Sequence, residues 1–379
     1  MSEQDTYWGG IFKKLKRDKA TIFGTFIIFG AILISILGAY IRPDSTHNAD
    51  LKTLPYAQKK PGFVGHFLKV HSSTLTEGSL FGKGLFFGGL SSEYDLYPFH
   101  SYKIENGTVI LEEINGKNNE KQGRLTAYSF EEVVGPNFKG DPQTYITQEL
   151  IISKRYVLGT DKFGRDMLSR LLGGTIISLS VGLIAVLISL IIGLTLGSIA
   201  GYFGGWVDNI VMWFINVIWS IPTLLIVIAL TLLFGKGFIQ VFIAVGLTMW
   251  VEVARVVRGE ILSIKEKEYV EAAKALGYSN WRIISKHVLP NSIDPVIVIS
   301  AANFATAILL EAGLSFLGIG TQVPMPSWGY MIKEHYSYIT TDLAYLAILP
   351  GLCIMLLVLA FTLVGNGLRD ALDVRSAKT

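Results

Sequence analysis

A single cysteine, Cys353, stands in the 379-residue chain, and it lies inside an apolar run. An intrachain disulfide is therefore excluded, as is a zinc site built on cysteine. Charge is also scarce: 17% of residues are Asp, Glu, Lys or Arg against 50% hydrophobic, and the net charge is +3. With a mean hydropathy of +0.45, the chain is too apolar for an ordinary soluble domain and fits a membrane protein. Its few cations cluster beside apolar runs, which reads as a topology signal and not as a footprint for nucleic acid. Nucleotide chemistry is missing too. The Gly-Lys pairs beginning at Gly82, Gly116 and Gly235 are followed by Gly or Asn, never by Ser or Thr, so the chain has no P-loop and no ATP cofactor of its own. Without HExxH, GxSxG or clustered His and Cys, it offers neither catalytic residues nor a metal site, and we expect it not to be an enzyme.

What is present is a series of long apolar segments. Crossing the hydrocarbon core as a helix takes about 20 residues, and about six stretches qualify, at 20–41, 175–201, 210–233, 237–257, 292–318 and 343–366. The first follows Lys13, Lys14, Lys16, Arg17 and Lys19 but is too long for a signal-peptide core, and Gly38-Ala39-Tyr40 is a poor cleavage site, so it reads as an anchor. Counting cations in short loops places the N-terminus, the segment between the fourth and fifth spans (Arg255, Arg258, Lys265, Lys267, Lys274, Arg282, Lys286) and the tail (Arg369, Arg375, Lys378) on the cytoplasmic side. The expected organisation is a cytoplasmic N-terminus and first span (1–41), an extracytoplasmic insertion (42–174), a transmembrane core (175–366) and a cytoplasmic tail (367–379).

The insertion is too long to be a connector. TVILEEI, the polar stretch NGKNNEKQG and RLTAYSFEEV read as strands joined by a hairpin-like connection, whereas 51–100 shows no clear period and is given no structure. Before the second span, Thr160 or Asp161 is positioned to cap a short helix with Leu168, Leu171 and Leu172 on one face and Arg165, Ser169 and Arg170 on another, expected to lie along the outer membrane surface.

Between the fourth and fifth spans stands EYVEAAKALGYSNWRIISKHVLP, residues 268–290. Tyr269, Ala272, Ala273 and Leu276 share helical spacing, with Glu271 and Lys274 opposite. Gly277 is suited to end this helix in a left-handed conformation. Ser279 is placed to cap a second helix in which Trp281, Ile284, Ser285 and Val288 repeat the spacing, and Pro290 to close it. The polar face mixes acids with bases, which favours docking onto a protein over lying on lipid headgroups.

Glu271-Ala272-Ala273, Gly277, Ile283, His287, Leu289 and Pro290 resemble the EAA loop of binding-protein-dependent ABC importer permeases. LGTDKFGRDMLSRLLGG (158–174), EAGLSFLGIGTQVPMPSWGYMI (311–332) and LAFTLVGNGLRDALDVR (359–375) are similar to segments of the C-type permease of oligopeptide and dipeptide importers. Departures are a longer connection between the first two spans (45–150), Gly313 in place of Ser and Asn366 in place of Asp. The resemblance implies an all-α polytopic membrane protein with a type I ABC importer fold. It also implies a coupling loop at 259–290 seated in a cytoplasmic ATPase and a peptide cargo, with nickel as the runner-up. Implied partners are a second permease forming a heterodimer, two ATPases that bind ATP and Mg, an extracytoplasmic peptide-binding protein and membrane lipid, all at the bacterial inner membrane. On that reading Glu271 fixes docking through a charged contact, with an intrahelical pair to Lys267 or Lys274 as the alternative. Ala272 and Ala273 allow close approach, and Gly277 sets the angle between the two helices.

Other residues keep two readings. Ala185, Ser189, Gly193, Gly197 and Gly201 form a ladder for helix packing within the chain or with another subunit. Pro222 is expected to kink the third span and lines a pathway or fits a neighbour. Glu311, a carboxylate in the fifth span, faces the translocation path or pairs with a neighbouring helix or caps a short outer helix. Glu252 and Arg255 read as an interfacial pair. Gly159, Thr160, Asp161, Gly164, Arg165 and Asp166 form a candidate extracytoplasmic motif. From other classes, a stand-alone secondary transporter would show an internal repeat, which is not found, and a receptor would not need the helix pair.

Overall fold

The computed structural model describes residues 3–72, 89–90, 94–115, 123–136, 138–235 and 237–372. Arg375 and Lys378 of the tail, Lys236, and most of the expected turn at 115–123 lie outside the described residues. The chain divides into two compact units, Met1–Ile32 with Ile177–Glu334 and Leu349–Thr379, and Leu33–Ile176 with His335–Ile348.

Helix α1 (Glu3–Leu15) precedes α2 (Lys19–Leu37), the first apolar span. Ile11 and Leu15 of α1 pack with Val298, Ala371 and Leu372. The insertion that follows is built on two three-stranded antiparallel sheets. In one, β1 (Phe63–His71) lies between β2 (Tyr94–Pro98) and β6 (Ile151–Tyr156), with Phe63 opposite Tyr156 and Phe67 opposite Pro98. In the other, β4 (Thr108–Glu112) lies between β3 (Ser101–Glu105) and β5 (Leu125–Ser129). The β4–β5 pair corresponds to the strands expected from TVILEEI and RLTAYSFEEV. Strands β1 and β2, however, fall within 51–100, where no structure was expected. β1 is a central strand that buries Phe67, Leu68 and Val70, so the alternation that marks a half-solvated strand is blurred. The β3–β4 turn is Asn106-Gly107, both at positive φ (48° and 75°), the residue pair favoured by a tight hairpin. Ser129 and Glu132 form a reciprocal capping box at α3 (Phe130–Val134), and Asp141 caps α4 (Pro142–Tyr145). Leu68, Val70, Val109, Leu111, Val133, Ile146 and Leu150 form the core beneath both sheets.

Helix α5 (Met167–Phe203) runs unbroken for 37 residues. The separate surface helix expected before the second span is therefore absent: its leucines belong to the first turns of α5, and Arg165 precedes the helix altogether. Next come α6 (Gly205–Trp219), α7 (Thr223–Phe234) and α8 (Phe238–Ile264). The third span is not a continuous helix. α6 and α7 meet at 92°, with Pro222 in extended conformation at the N-cap of α7, because proline lacks the N–H that would continue the ladder. α9 (Glu268–Ala275), α10 (Asn280–Ile283), α11 (Ile293–Leu317), α12 (Trp328–His335) and α13 (Tyr345–Leu372) complete the chain. Among the described residues five helices are long and apolar enough to cross a membrane, or six spans if the bent α6–α7 pair counts as one.

The small-residue ladder of α5 faces α8. A Cβ at Gly197 would lie 2.6 Å from Ala254 O, and one at Gly201 2.9 Å from Ile261 Cβ. These glycines allow helix axes to approach closely where packing drives association, and they do so within the chain.

Candidate functional site

The element at 268–290 is anchored by one face and bare on the other. Val270, Ala273, Ile283 and Val288 are buried with Val253, Val257, Ile261 and Ile264 of α8 and Val296 of α11. Burying each Val or Ile contributes about 1.5–3 kcal/mol, so the short helices are held by tertiary packing and not by propensity. Tyr269, Leu276 and Trp281 are exposed by 41, 72 and 62%. This revises the expected apolar face: Tyr269, Ala272 and Leu276 point outward, and Val270 with Ala273 forms the seat. The helix has two apolar stripes, and spacing alone does not say which one is covered.

Gly277, at φ 75°, ends α9 in a left-handed turn. Gly277 N donates to Lys274 O at 2.9 Å and Tyr278 N to Ala273 O at 3.2 Å, the paired bonds of a Schellman cap. Tyr278 thereby folds back onto the seat. Its ring stacks with His287 at 5.9 Å, and the Arg282 guanidinium sits 4.2 Å from its centroid. Ser279 has the extended N-cap conformation, but its side chain makes no capping bond. Pro290 does not close the second helix: α10 passes through a π turn (Ile284–Val288) and a 3-10 turn (Leu289–Ser292) directly into α11, and the wide turn accommodates the missing N–H. Ile283 is buried, Leu289 and His287 are half-buried, and Glu271, Ala272, Gly277 and Pro290 are exposed. Among the described residues Glu271 forms no ion pair with Lys267 or Lys274. Glu268 and Glu271 lie in the first turn of α9 and Lys274 in its last, complementing the helix dipole.

The end of α5 braces this element, a feature invisible as a motif because Tyr202 and Phe203 read as loop residues. The Tyr202 hydroxyl donates to Asn280 Oδ1 at 3.1 Å, Phe203 meets Trp281 edge-on at 6.3 Å, and Lys265 Nζ donates to Gly201 O at 3.0 Å. Arg258 makes a two-point ion pair with Asp208 of α6 at 2.5 and 2.6 Å. Arg255 is not paired with Glu252. It lies 3.5 Å from the Trp219 ring and donates to Asn216 Oδ1 at 3.2 Å.

Glu311 is wholly enclosed. Its Oε1 accepts from Ser315, Thr321 and Ser327 hydroxyls at 2.7, 3.2 and 2.7 Å, and Ser315 Oγ accepts from Thr321 N at 3.0 Å. The carboxylate thus ties α11 to the segment that follows it and offers no surface to a solute. Pro222 is exposed at the α6–α7 corner.

The motif at 159–166 is a buried clasp. Thr160 Oγ1 donates to Tyr56 O at 2.5 Å and accepts from Lys59 N at 2.8 Å. Asp161 accepts from Phe163 N and Arg165 N at 2.8 and 2.9 Å and pairs with Arg165 Nε at 2.5 Å. Arg165, with no exposed surface, also reaches Asp50 at 3.1 Å. Gly164 (φ 74°) lies against Thr53, whose carbonyl a Cβ would strike; Gly159 O accepts from Met167 N. The residues brought together from 44–60 and 159–170 are distant in sequence, so no local pattern announced them. Asp166 caps α5, accepting from Ser169 N at 3.2 Å and from the Ser169 hydroxyl. Burial pushes its carboxyl above the ordinary value, opposed by those bonds and by Lys154. Its unfolded form releases the proton first, so this contribution to stability is fullest below about pH 4 and declines as pH rises toward the folded value. Asp166→Asn is expected to lose less thermal stability than wild type on raising the pH above about 4; parallel melting curves would remove Asp166 as the source of that slope.

Five to six helices long and apolar enough to cross a membrane, with a helix pair seated on two of them, define a multi-pass membrane protein. Residues 193–378 match the family described as binding-protein-dependent transport system inner membrane component. The chain is 43% identical over 221 residues to the glutathione transport system permease protein GsiD of Pectobacterium atrosepticum, covering 58% of this chain and 73% of that protein. It is 42% identical over 231 residues to the dipeptide transport system permease protein DppC of Bacillus subtilis, covering 61% and 72%. Among solved structures it is similar to an inward-facing MetNI methionine ABC transporter chain, at 19% identity and a TM-score of 0.46, covering 54% of this chain and 97% of that one. The chain belongs to the binding-protein-dependent transport system inner membrane components. As such it is a transport subunit that works with ATPase and binding-protein partners.

Proposed function

We propose that this chain is a permease subunit of an ATP-driven peptide importer, with short peptides of the dipeptide or glutathione kind as cargo. The observation that carries the coupling role is the two-faced element at 268–290, seated through Val270, Ala273, Ile283 and Val288 and bare at Tyr269, Leu276 and Trp281. A rigid helix held at one face transmits a displacement applied at the other; a loose loop would absorb it. Nucleotide closure in a cytoplasmic ATPase moves this element, and with it α8 and α11. Glu271, Ala272 and Gly277 lie at the docking surface, Ala273, Ile283 and Leu289 in the seat, and His287 and Pro290 at the join to α11.

On this reading the chain forms a heterodimer with a second permease above two ATPases that bind ATP and Mg. Both termini and the coupling loop are cytoplasmic. The insertion stands outside, where a binding protein delivers cargo. The cargo assignment rests on the named relatives, which match 58% and 61% of this chain.

Reconstitution with the ATPases and binding protein tests it. ATP hydrolysis is expected to rise when the binding protein is loaded with dipeptide or glutathione, and replacing Leu276 and Trp281 together by Ser to abolish that rise while the chain still inserts. Stimulation that survives this double replacement would remove the element from the coupling route. Stimulation by neither cargo, with the complex assembled, would overturn the cargo.

A further inference from the structure

An apolar cavity of about 330 Å³ lies among α2, α5, α11 and α13, its lining including Thr25, Ile28, Val186, Ser300, Phe304, Phe361 and Val364. Its two hydroxyls are turned back onto their own helices. Thr25 Oγ1 donates to Thr21 O at 2.8 Å and Ser300 Oγ to Val296 O at 2.6 Å, so neither offers a donor to the cavity. Phe304 and Phe361 stack at 4.0 Å to form one wall. Such a space has no partners for water but suits hydrocarbon.

One end of the cavity's helices is cationic. A Cβ at Gly24 would lie 2.7 Å from Ala360 O, and one at Gly367 would meet Thr21 and Asp18; α2 and α13 therefore run in opposite senses, with the start of α2 beside the end of α13. Lys14 Nζ donates to Ala371 O at 3.4 Å, bringing α1 to the same place. Among the described residues Lys13, Lys14, Lys16, Arg17, Lys19 and Arg369 stand in the helix ends that meet there, all exposed, against Asp18, Asp294 and Asp370. Asp18 is occupied in capping α2, accepting from Ala20 N and Thr21 N at 3.1 Å each. At 1.5 Å of rise per residue, Thr25 lies about 9 Å and Ile28 about 14 Å beyond Lys19. That is the depth of the first half of an acyl chain whose headgroup is level with Lys19.

We propose that this cavity and the cations at its end form a site for an anionic phospholipid. One acyl chain lies in the groove between α2 and α13, and the phosphate is held among Lys16, Arg17 and Lys19. Basic clusters beside spans attract anionic headgroups; the fitted groove makes the attraction a site and not only a surface preference.

The assembled transporter in nanodiscs tests this, using phosphatidylglycerol or phosphatidylcholine with a diazirine midway along one acyl chain. Photolabelling by phosphatidylglycerol is expected on the segments holding Thr25–Ile28 and Phe361–Val364, several-fold above that by phosphatidylcholine. The triple change Lys16→Gln, Arg17→Gln and Lys19→Gln is expected to erase the preference. Ser300→Leu is expected to reduce labelling by both lipids; if it fails to assemble, Thr25→Leu supplies the same readout from the exposed side. Equal labelling by the two lipids in wild type would overturn the proposal. So would an absence of label there accompanied by crosslinks to the second permease, which would make the groove a seat for protein.

Discussion

Gly277→Val is expected to abolish binding-protein-stimulated ATP hydrolysis in the reconstituted complex while leaving membrane insertion intact. Nothing lies within 4 Å of the position a Cβ would take, so collision with a neighbour is not the cause. The cost is in the backbone: φ is 75°, a conformation that costs an L-residue roughly 1–2 kcal/mol and a β-branched one more. The Schellman bonds from Gly277 and Tyr278 would be exchanged for an open turn, and Tyr278 would leave its place between His287 and Arg282. The exposed apolar residues on the two sides of the turn, Leu276 and Trp281, would then lose their fixed relation. Gly277→Asn is the control, because asparagine tolerates the left-handed region, and most of the stimulation is expected to remain. Wild-type stimulation in the valine variant would show that the turn geometry does not matter to coupling.

Asp161→Ala is expected to give the largest loss of stability in the insertion-bearing unit. Arg165 has no exposed surface and Asp161 is its nearest partner, at 2.5 Å. Removing one member of a buried pair costs about 3–5 kcal/mol. The lower end applies, because Asp50 remains within 3.1 Å of Arg165 although it also faces Arg170. Asp161 additionally accepts two backbone N–H bonds that hold the 161–165 turn, and alanine leaves both unmade. Lys60→Ala provides the contrast. Its ion pair with Asp342 is exposed on both sides, and such pairs contribute about 0–1 kcal/mol. Thermal unfolding of the purified complex, followed by proteolysis between 42 and 170, separates the two. A melting temperature for Asp161→Ala as close to wild type as that of Lys60→Ala would refute the clasp as a stabilising element.

The apolar spans were legible because hydropathy over about 20 residues is a strong local signal. The break at Pro222 was legible as a kink, but its 92° size depends on α6 and α7 packing separately against α8, through Ile215 and Val227 respectively. The helix pair could be read down to its glycine hinge, since a left-handed C-cap leaves a residue-level trace. Which face it buries could not, because Val270 and Tyr269 are both apolar and only the position of α8 chooses between them. The insertion was half legible. Strands β4 and β5 alternate, whereas β1 is covered on both sides and loses its period. The clasp was not legible as a unit because Asp50 joins the local Asp161–Arg165 pair only after the chain has folded across more than 100 residues. In sequence, its charges looked like the polar face of a surface helix.

The pairing of Phe63 with Tyr156, together with the bond from Gly62 N to Tyr156 O at 2.8 Å, has an architectural consequence. The β-rich segment departs and returns one strand spacing apart, about 4.8 Å, while Thr53, Tyr56 and Lys59 remain fastened to the residues just before α5. Its attachment is thus narrower than the 45–150 stretch that the long connection suggested. Entry and exit are also locked to the clasp: Tyr156 O accepts from Gly159 N at 3.1 Å, and the Tyr56 hydroxyl donates to His66 O at 2.9 Å and to Phe99 O at 3.2 Å, so the segment hangs from one narrow stem whose root is the buried turn itself.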